Sequence, residues 1–185
     1  LNQVHSNKIY FIKKMSKKKL LGDGLITNAK NLAIGILTAD CVPILLFDPK
    51  KNIIGALHAG WKGAYKMIGK KMINYFKKKG SKLNNIIAVL GPSISQENYE
   101  IKNDFKVNFL KQNAENTKHF KTIKNKIYFD LRGYIFKQLK NAGIQNIEII
   151  KKDTFNPKNN FFSARRSLRK KNNDYGRNIS IIMIK

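Results

Sequence analysis

The sequence has very few of the side chains that cross-link proteins or bind metals, with one cysteine and three histidines in 185 residues. A single cysteine cannot form an internal disulfide, so the fold does not depend on an oxidising compartment. The chain also has no apolar run of the roughly 18–20 residues that span a bilayer, and its first ten residues lack the pattern of a secretory signal. We therefore expect a cytoplasmic protein without a membrane partner.

Acidic residues are scarce as well, because 11 Asp and Glu stand against 37 Lys and Arg, which gives a net charge of +26. A charge of this size attracts polyanions through counterion release. Only five of the basic residues are arginine, the side chain whose planar guanidinium suits phosphates and base edges. The lysine runs at 17–19 and 77–79 carry no aromatic residues for stacking. We therefore expect a solvated basic surface and no specific nucleic-acid partner.

The spacing of apolar residues predicts a mixed α+β fold. Short apolar runs predict strands at 7–13, 25–27, 32–38, 42–47, 53–58, 86–90, 147–151 and 179–184. Apolar residues at three- and four-residue steps predict helices at 59–79, 103–111 and 131–142. Because the strands outnumber the helices and do not alternate strictly with them, we expect a mixed-sheet α/β sandwich. The chain shows no repeat and no linker, so the sequence predicts a single domain over residues 1–185.

Three of the four cysteine and histidine residues lie where predicted strands begin or end. His5 precedes the first strand, Cys41 lies between two apolar strands, and His58 closes the next one. Active sites concentrate at such positions, because the rigid sheet holds side chains that the loops leave exposed. His119 lies in a basic polar stretch without this context, so we expect it on the surface.

One thiolate and two imidazoles form a borderline-soft ligand set that suits zinc and leaves one tetrahedral position open. An open position is typical of a catalytic metal, which lowers the pKa of a bound water to about 7. The same residues could instead form a cysteine nucleophile with a histidine base. These residues alone leave both uses open.

The motifs around these residues resemble one known family. DGLIT at 23–27, TADCVPILL at 38–46 and HAGWKG at 58–63 resemble the laccase-domain family, also described as polyphenol-oxidase-like or YfiH-type purine nucleoside phosphorylases. The resemblance continues in the family's order with QVHS at 3–6, GPSISQENYEI at 91–101, FFSARR at 161–166 and GR at 176–177. It covers nearly the whole chain, and TADC followed by HAGW at this interval is a highly specific pair.

The resemblance implies that His5, Cys41 and His58 bind one zinc ion. It implies phosphorolysis of adenosine, inosine, guanosine and methylthioadenosine, with adenosine deamination as a second activity. The implied fold is an α/β sandwich, YfiH-like and shared with the Cys–His deamidase domain of a bacterial toxin. Family members carry some tens of residues before the QVH motif, so we expect this chain to lack an N-terminal segment.

Phosphorolysis needs an anion held beneath the anomeric carbon of the ribose, and several residues are candidates for this task. Arg165, Arg166 and Arg177 could bind phosphate or hold their loops. Lys62 stands where the family has an arginine and would grip an anion less rigidly. Gln3 could donate a hydrogen bond in the pocket.

Deamination needs a carboxylate to transfer protons near the metal. Asp40, adjacent to Cys41, is the only acid beside the candidate ligands in the sequence. We expect it to transfer protons, to cap a turn or to orient a ligand histidine. Trp61 and Tyr65 could stack on a purine, although their helical spacing is more typical of core residues.

Two other enzyme classes compete with a zinc phosphorylase. A copper-dependent polyphenol oxidase is disfavoured, because multicopper oxidation of phenols needs many more histidines than three. A metal-free Cys–His hydrolase uses the same residues without a cofactor. The expected partners are purine nucleosides and phosphate, and we expect a monomer.

Overall fold

The computed structural model describes residues 1–15, 19–172 and 174–185. The strands in these ranges are β1 (Ile9–Phe11), β2 (Gly24–Thr27), β3 (Ile34–Thr38), β4 (Val42–Asp48), β5 (Ile53–Ala59), β6 (Ile87–Leu90), β7 (Glu100–Ile101), β8 (Phe120–Ile123), β9 (Lys126–Phe129), β10 (Asn146–Ile149) and β11 (Asn178–Ile182). The α-helices are α1 (Trp61–Tyr65), α2 (Ile68–Lys78), α3 (Asn103–Gln112), α4 (Leu131–Asn141) and α5 (Ala164–Arg169).

A six-stranded mixed sheet lies at the centre of the fold, in the order β1-β2-β5-β4-β6-β10. The outer pairs, β1 with β2 and β6 with β10, are parallel. The inner neighbours are antiparallel. A second sheet pairs β3 with β11, and a third has the order β7-β9-β8.

Strand β5 is buried along its whole length because both faces of the central sheet are covered. Ile53 and Leu57 point into a core that also contains residues of α2 and α4. Ile54 and Ala56 point the other way, into a second core shared with β3. Successive side chains of a strand face opposite sides, so a strand buried at every position lies between two layers. The mixed-sheet α/β sandwich predicted from the sequence is therefore confirmed.

The predicted helix at 59–79 is wrong in one respect, because two helices replace it. Met67 lies between α1 and α2 with a left-handed backbone at φ 58°. The side-chain amide of Gln138 in α4 donates to the carbonyl oxygen of Ala64 at 3.0 Å. Since this contact comes from a distant part of the chain, local apolar spacing could not reveal the break. Helices α3 and α4 confirm the other two predictions.

His119 is buried rather than exposed, which corrects its placement on the surface. Only 7% of the residue is accessible, and its ring meets that of Tyr134 edge-on at 5.5 Å. Desolvation lowers the pKa of this imidazole. The polar residues around His119 form the connection between α3 and β8, and this connection packs over an aromatic core.

Strands β7, β8 and β9 and helix α5 have no counterpart in the sequence-based prediction. They are short, with two to six residues each, so none of them forms an apolar pattern long enough to be recognised in the sequence. No helix in the described part of the chain is long and apolar enough to cross a membrane. The lysine run at 17–19 lies mostly outside the described residues, whereas the run at 77–79 ends α2 and is exposed.

Candidate metal centre

The structure brings His5, Cys41 and His58 together where the inner strands β4 and β5 of the central sheet begin and end. Their donor atoms all lie within 4.8 Å of one another, and Cys41 Sγ is 3.8 Å from His5 Nε2. The antiparallel register of β4 and β5 pairs Val42 with Ala59. The start of β4 and the end of β5 are therefore neighbours, which brings Cys41 and His58 to the same place.

The third residue, His5, lies on a loop whose shape depends on Asp23. Its backbone is left-handed, with φ 56°, a conformation that is uncommon for a residue with a side chain. The carboxylate of Asp23 accepts the backbone N–H groups of Val4, His5 and Ser6 at 3.3, 3.0 and 2.5 Å. It also accepts the Ser6 hydroxyl at 2.7 Å. One carboxylate thus fixes the turn that presents the His5 ring.

Asp23 also orients His58. The Nδ1 atom of His58 donates to Asp23 Oδ1 at 2.7 Å, which assigns the tautomer and leaves Nε2 free to bind a metal. Asp23 is fully buried and His58 is 4% exposed. Burial on its own would raise the pKa of Asp23, but hydrogen bonds from His58 and Ser6 lower it to about 2. Asp23 is therefore an anion that holds two of the three ligands.

The spacing of apolar residues does not reveal this role of Asp23. Its position in the DGLIT motif is the one signal that the sequence offers. The contact depends on the pairing of β2 with β5, which sets Gly24 opposite Leu57. A contact between residues so far apart in the chain is not encoded in local spacing.

The ligand set fits a metal ion of zinc size. Zinc bonds to sulfur at about 2.3 Å and to imidazole nitrogen at about 2.0–2.1 Å, so donors within 4.8 Å of one another need only small movements to share one ion. Burial, with Asp40 and Asp23 nearby, raises the pKa of the Cys41 thiol to about 12. Desolvation and the neighbouring His58 lower the pKa of His5. A bound cation would supply the positive charge that the thiolate requires.

Gly60 leaves room for this ligand set. A methyl group on its Cα would lie 2.8 Å from His5 Cδ2 and 2.9 Å from Cys41 Sγ. The backbone of Gly60 has φ −73° and ψ 170°, which any residue can adopt. A side chain at this position of the HAGW motif would therefore collide with the ligands, whereas the backbone conformation itself does not require glycine.

Asp40 is adjacent to Cys41 but its carboxylate points elsewhere. Thr154 Oγ1 donates to Asp40 Oδ1, and the backbone N–H of Arg165 donates to Asp40 Oδ2, both at 2.7 Å. The acid that contacts a candidate ligand is Asp23. The geometry of Asp40 thus supports an anchoring role, because its two oxygens join the loop before β4 to Thr154 and to the first turn of α5.

Arg177 and Gln3 lie with the three ligands around a cavity of about 520 Å³. Arg177 is exposed, and its Nη1 donates to the carbonyl oxygen of Tyr175 at 2.5 Å. The amide of Gln3 pairs with the backbone of Leu37, donating to its oxygen at 2.6 Å and accepting from its nitrogen at 2.9 Å. Gln3 therefore holds the loop of His5 against β3.

Arg166 is held by its own loop. Its guanidinium donates to the carbonyl oxygens of Thr154, Phe155 and Phe161 at 2.8, 2.9 and 2.5 Å. This arrangement supports a structural role for Arg166. Lys62 extends over the ring of Trp61, with Nζ 5.5 Å from the ring centroid.

Arg165 lies beside a second cavity of about 680 Å³. Its Nη1 donates to the carbonyl oxygen of Glu100 at 2.8 Å, and its guanidinium carbon is 5.3 Å from the centroid of the Tyr99 ring. Burial raises the pKa of Tyr99 well above its usual value, and the nearby Cys41 adds to this effect. Tyr99 thus lies close enough to Cys41 for their charges to interact.

The same cavity contains Trp61 and Tyr65, the two aromatic residues considered from the sequence. Trp61 is 37% exposed, and the centroid of its ring lies 5.1 Å from that of Phe105 in α3. Tyr65 packs edge-on against the buried Phe109 at 5.0 Å. The sequence does not indicate that Tyr99 and Phe105 belong to this cavity, because α3 and the segment before it reach this place only through tertiary packing.

The fold and site define a mixed α/β protein with a two-histidine, one-cysteine group that can hold a metal. The family model described as multi-copper polyphenol oxidoreductase laccase matches residues 1–185. The chain belongs to this family, which is the laccase-like, YfiH-type family indicated by the sequence motifs.

Two curated relatives share the same name. A purine nucleoside phosphorylase of Rickettsia conorii is 40% identical over 169 residues, covering 90% of this chain and 70% of the relative. A purine nucleoside phosphorylase of Aquifex aeolicus is 36% identical over 152 residues, covering 82% of this chain and 68% of the relative.

Solved structures share the fold over the whole chain. The hypothetical protein YfiH of Bacillus licheniformis matches with a TM-score of 0.88 and 31% identity, covering 100% of this chain and 73% of that one. YlmD of Geobacillus stearothermophilus matches with a TM-score of 0.84 and 24% identity, covering 98% of this chain and 71% of that one. The YlmD match supports the fold alone.

Proposed function

We propose that this chain is a zinc-dependent purine nucleoside phosphorylase that acts on adenosine, inosine, guanosine and methylthioadenosine. The observation that carries the proposal is the convergence of His5, Cys41 and His58 on a cavity that also contains Arg177. The names of the Rickettsia and Aquifex relatives support the reaction class. In this reaction phosphate attacks the anomeric carbon, the bond to the base breaks, and a free purine results together with ribose 1-phosphate, or with methylthioribose 1-phosphate from methylthioadenosine.

His5, Cys41 and His58 would hold the zinc ion. Bound there, zinc supplies Lewis-acid stabilisation of negative charge. It is preferred over copper because phosphorolysis includes no redox step, although a two-histidine, one-cysteine set binds either metal. Asp23 keeps Nδ1 of His58 protonated and the His5 loop in place, so the ligands are positioned before the metal arrives.

Arg177 is the candidate for phosphate binding in this cavity. Its guanidinium is exposed at the cavity wall and uses Nη1 for Tyr175. Arginine binds phosphate through two parallel N–H groups, which fixes the orientation of the anion as well as its position. Arg165 and Arg166 are less suited to bind phosphate in this cavity. Arg165 lines the second cavity, and the guanidinium of Arg166 is bound to three backbone carbonyls.

Adenosine deamination, phenol oxidation and metal-free hydrolysis have weaker support. The carboxylates of Asp23 and Asp40 are both engaged in hydrogen bonds that hold the site together, so neither is poised to transfer a proton. The whole chain contains three histidines, too few for a multicopper centre. With a thiol pKa of about 12, Cys41 is not a thiolate nucleophile at neutral pH in the metal-free protein.

The test is to assay zinc-loaded protein with inosine or adenosine and phosphate. The expected products are ribose 1-phosphate and the free base, and arsenate in place of phosphate should release base and ribose. Ammonia release and oxygen consumption are measured in the same samples, as signs of deamination and phenol oxidation. If zinc-replete protein yields neither ribose 1-phosphate from adenosine, inosine or guanosine nor methylthioribose 1-phosphate from methylthioadenosine, the proposal is wrong.

A further inference from the structure

The cavity of about 680 Å³ beside Trp61, here called the aromatic cavity, has no role in the site described so far. We propose that the aromatic cavity binds the purine base of the nucleoside. This inference rests on the proposed function, because it assigns one part of the substrate to a place beside the metal centre. Its support comes from the walls of the cavity, its polar edge and its connection to the ligands.

The walls offer flat apolar surfaces. The centroids of the Trp61 and Phe105 rings are 5.1 Å apart, and Phe105 stacks on Phe109 with centroids 4.7 Å apart and planes at 16°. Phe109 is buried, whereas Trp61 is partly exposed to the cavity. A planar heteroaromatic ring is the ligand that such surfaces bind best, because stacking on aromatic side chains is favourable for every base.

One edge of the aromatic cavity is polar. Asp104 and Asn108 are four residues apart on α3, so they lie on the same face of the helix. Together they offer a carboxylate acceptor and an amide with both donor and acceptor atoms. The edge of a purine carries ring nitrogens and an exocyclic oxygen or amine, which require both hydrogen-bond donors and acceptors. A bound aliphatic chain would leave the Asp104 carboxylate and the Asn108 amide without hydrogen-bond partners.

Two residues of the aromatic cavity, Trp61 and Arg165, link its wall to the metal centre. Trp61 follows Gly60, whose Cα faces His5 and Cys41, and Arg165 at the cavity wall donates its backbone N–H to Asp40 beside Cys41. In phosphorolysis the phosphate and the departing base lie on opposite sides of the anomeric carbon. Arg177 lines the metal cavity and is not among the residues that line the aromatic cavity, so the two cavities offer separate places for the phosphate and the base.

The chain contains one tryptophan, so its fluorescence reports on this cavity directly. Adenine, hypoxanthine and, for comparison, uracil are titrated into zinc-loaded and chelator-treated protein, because none of the three emits in the range of tryptophan. We expect adenine and hypoxanthine to change the emission of Trp61 saturably in both forms. An equal response to uracil, or no response to either purine, would overturn the assignment of a purine site.

Kinetic variants provide the second readout. Asn108→Ala is expected to raise the KM for inosine about tenfold, in line with the loss of a hydrogen bond to the base, without changing zinc content or the KM for phosphate. Asn74→Ala is the matched control, because Asn74 is an exposed helical asparagine in α2. An unchanged KM for inosine in Asn108→Ala would contradict the polar edge of the cavity.

Failure of this inference can be told apart from failure of the proposed function. If the protein forms ribose 1-phosphate but purines leave the Trp61 emission unchanged, the base binds elsewhere and the phosphorylase assignment stands. If purines change the emission saturably but no nucleoside is cleaved, the aromatic cavity is a purine site and the reaction assignment is wrong.

Discussion

The Oδ1 atom of Asp23 lies 2.7 Å from Nδ1 of His58, and the same carboxylate accepts the backbone N–H of His5. One buried anion therefore positions two of the three candidate metal ligands. Such contacts orient a ligand ring and raise its basicity, and their loss weakens metal binding by about 10–100-fold.

We expect Asp23→Asn to reduce zinc affinity by about 10–100-fold. The amide has one acceptor oxygen where the carboxylate has two, so the His58 and Ser6 contacts cannot both persist. Zinc affinity is measured by competition with a chromogenic chelator. Glu148→Gln, an exposed change on β10, is the control, and equal affinities for the two variants would contradict this role.

Asp23 should also make the metal-free protein sensitive to acid. The pKa of Asp23 is about 2 in the fold against an ordinary value of 3.8, so the charged form stabilises the fold. This stabilisation is fully present above about pH 4 and is lost as the pH falls towards 2. Urea unfolding of chelator-treated protein between pH 2 and 6 is expected to show a smaller loss of unfolding free energy in Asp23→Asn than in the parent chain.

Gly60→Ala tests the space beside the ligands. The added methyl group would lie within 3 Å of His5 Cδ2 and Cys41 Sγ, so the two ligands must separate. Overpacking of this kind costs about 1–3 kcal/mol, and we expect zinc affinity to fall by roughly tenfold. Gly69→Ala in α2, which meets only the flexible end of Leu139, should leave zinc affinity unchanged.

Asp40 and Thr154 test the distinction between anchoring and proton transfer. Thr154→Val removes the hydroxyl that donates to the buried Asp40, and we expect it to lower the free energy of unfolding by about 1–3 kcal/mol. Thr154→Ser keeps the hydroxyl, so its free energy of unfolding should fall by less than that of Thr154→Val. If Asp40→Asn abolishes turnover while its unfolding free energy and zinc content stay unchanged, Asp40 transfers protons and the anchoring role is wrong.

Arg166 and Arg177 should respond differently to substitution. Arg166→Lys cannot reproduce three hydrogen bonds to backbone carbonyls, so we expect a loss of about 2 kcal/mol in unfolding free energy. Arg177→Ala should raise the KM for phosphate about tenfold with little change in stability. Thermal unfolding checks the first outcome and phosphate-dependent kinetics check the second. If Arg166→Lys instead raised the KM for phosphate and Arg177→Ala lowered stability, the two assignments would be wrong.

The family, the fold class and the three candidate ligands followed from short motifs and apolar patterns. His5, Cys41 and His58 each lie in a distinctive motif, and strands β3 to β6 are apolar runs whose limits are visible in the chain. These features are local, so the sequence is sufficient to find them. The expectations of a monomer and of no specific nucleic-acid partner stay predictions.

The features that the sequence did not reveal depend on residues far apart in the chain. The buried His119 ring packs edge-on against Tyr134, and the break at Met67 coincides with Gln138, whose amide donates to the carbonyl of Ala64. Neither interaction leaves a periodic pattern, because each joins single side chains from different elements.

The amino-acid sequence by itself determined which residues could bind zinc, since one cysteine and three histidines supply all its thiolate and imidazole donors. The tertiary structure decided how those residues are held. Pairing of β2 with β5 places Asp23 within hydrogen-bond distance of His58. Packing of α3 against α1 forms the aromatic cavity. Both depend on long-range register and packing, which become defined only when the apolar faces of the elements are buried together.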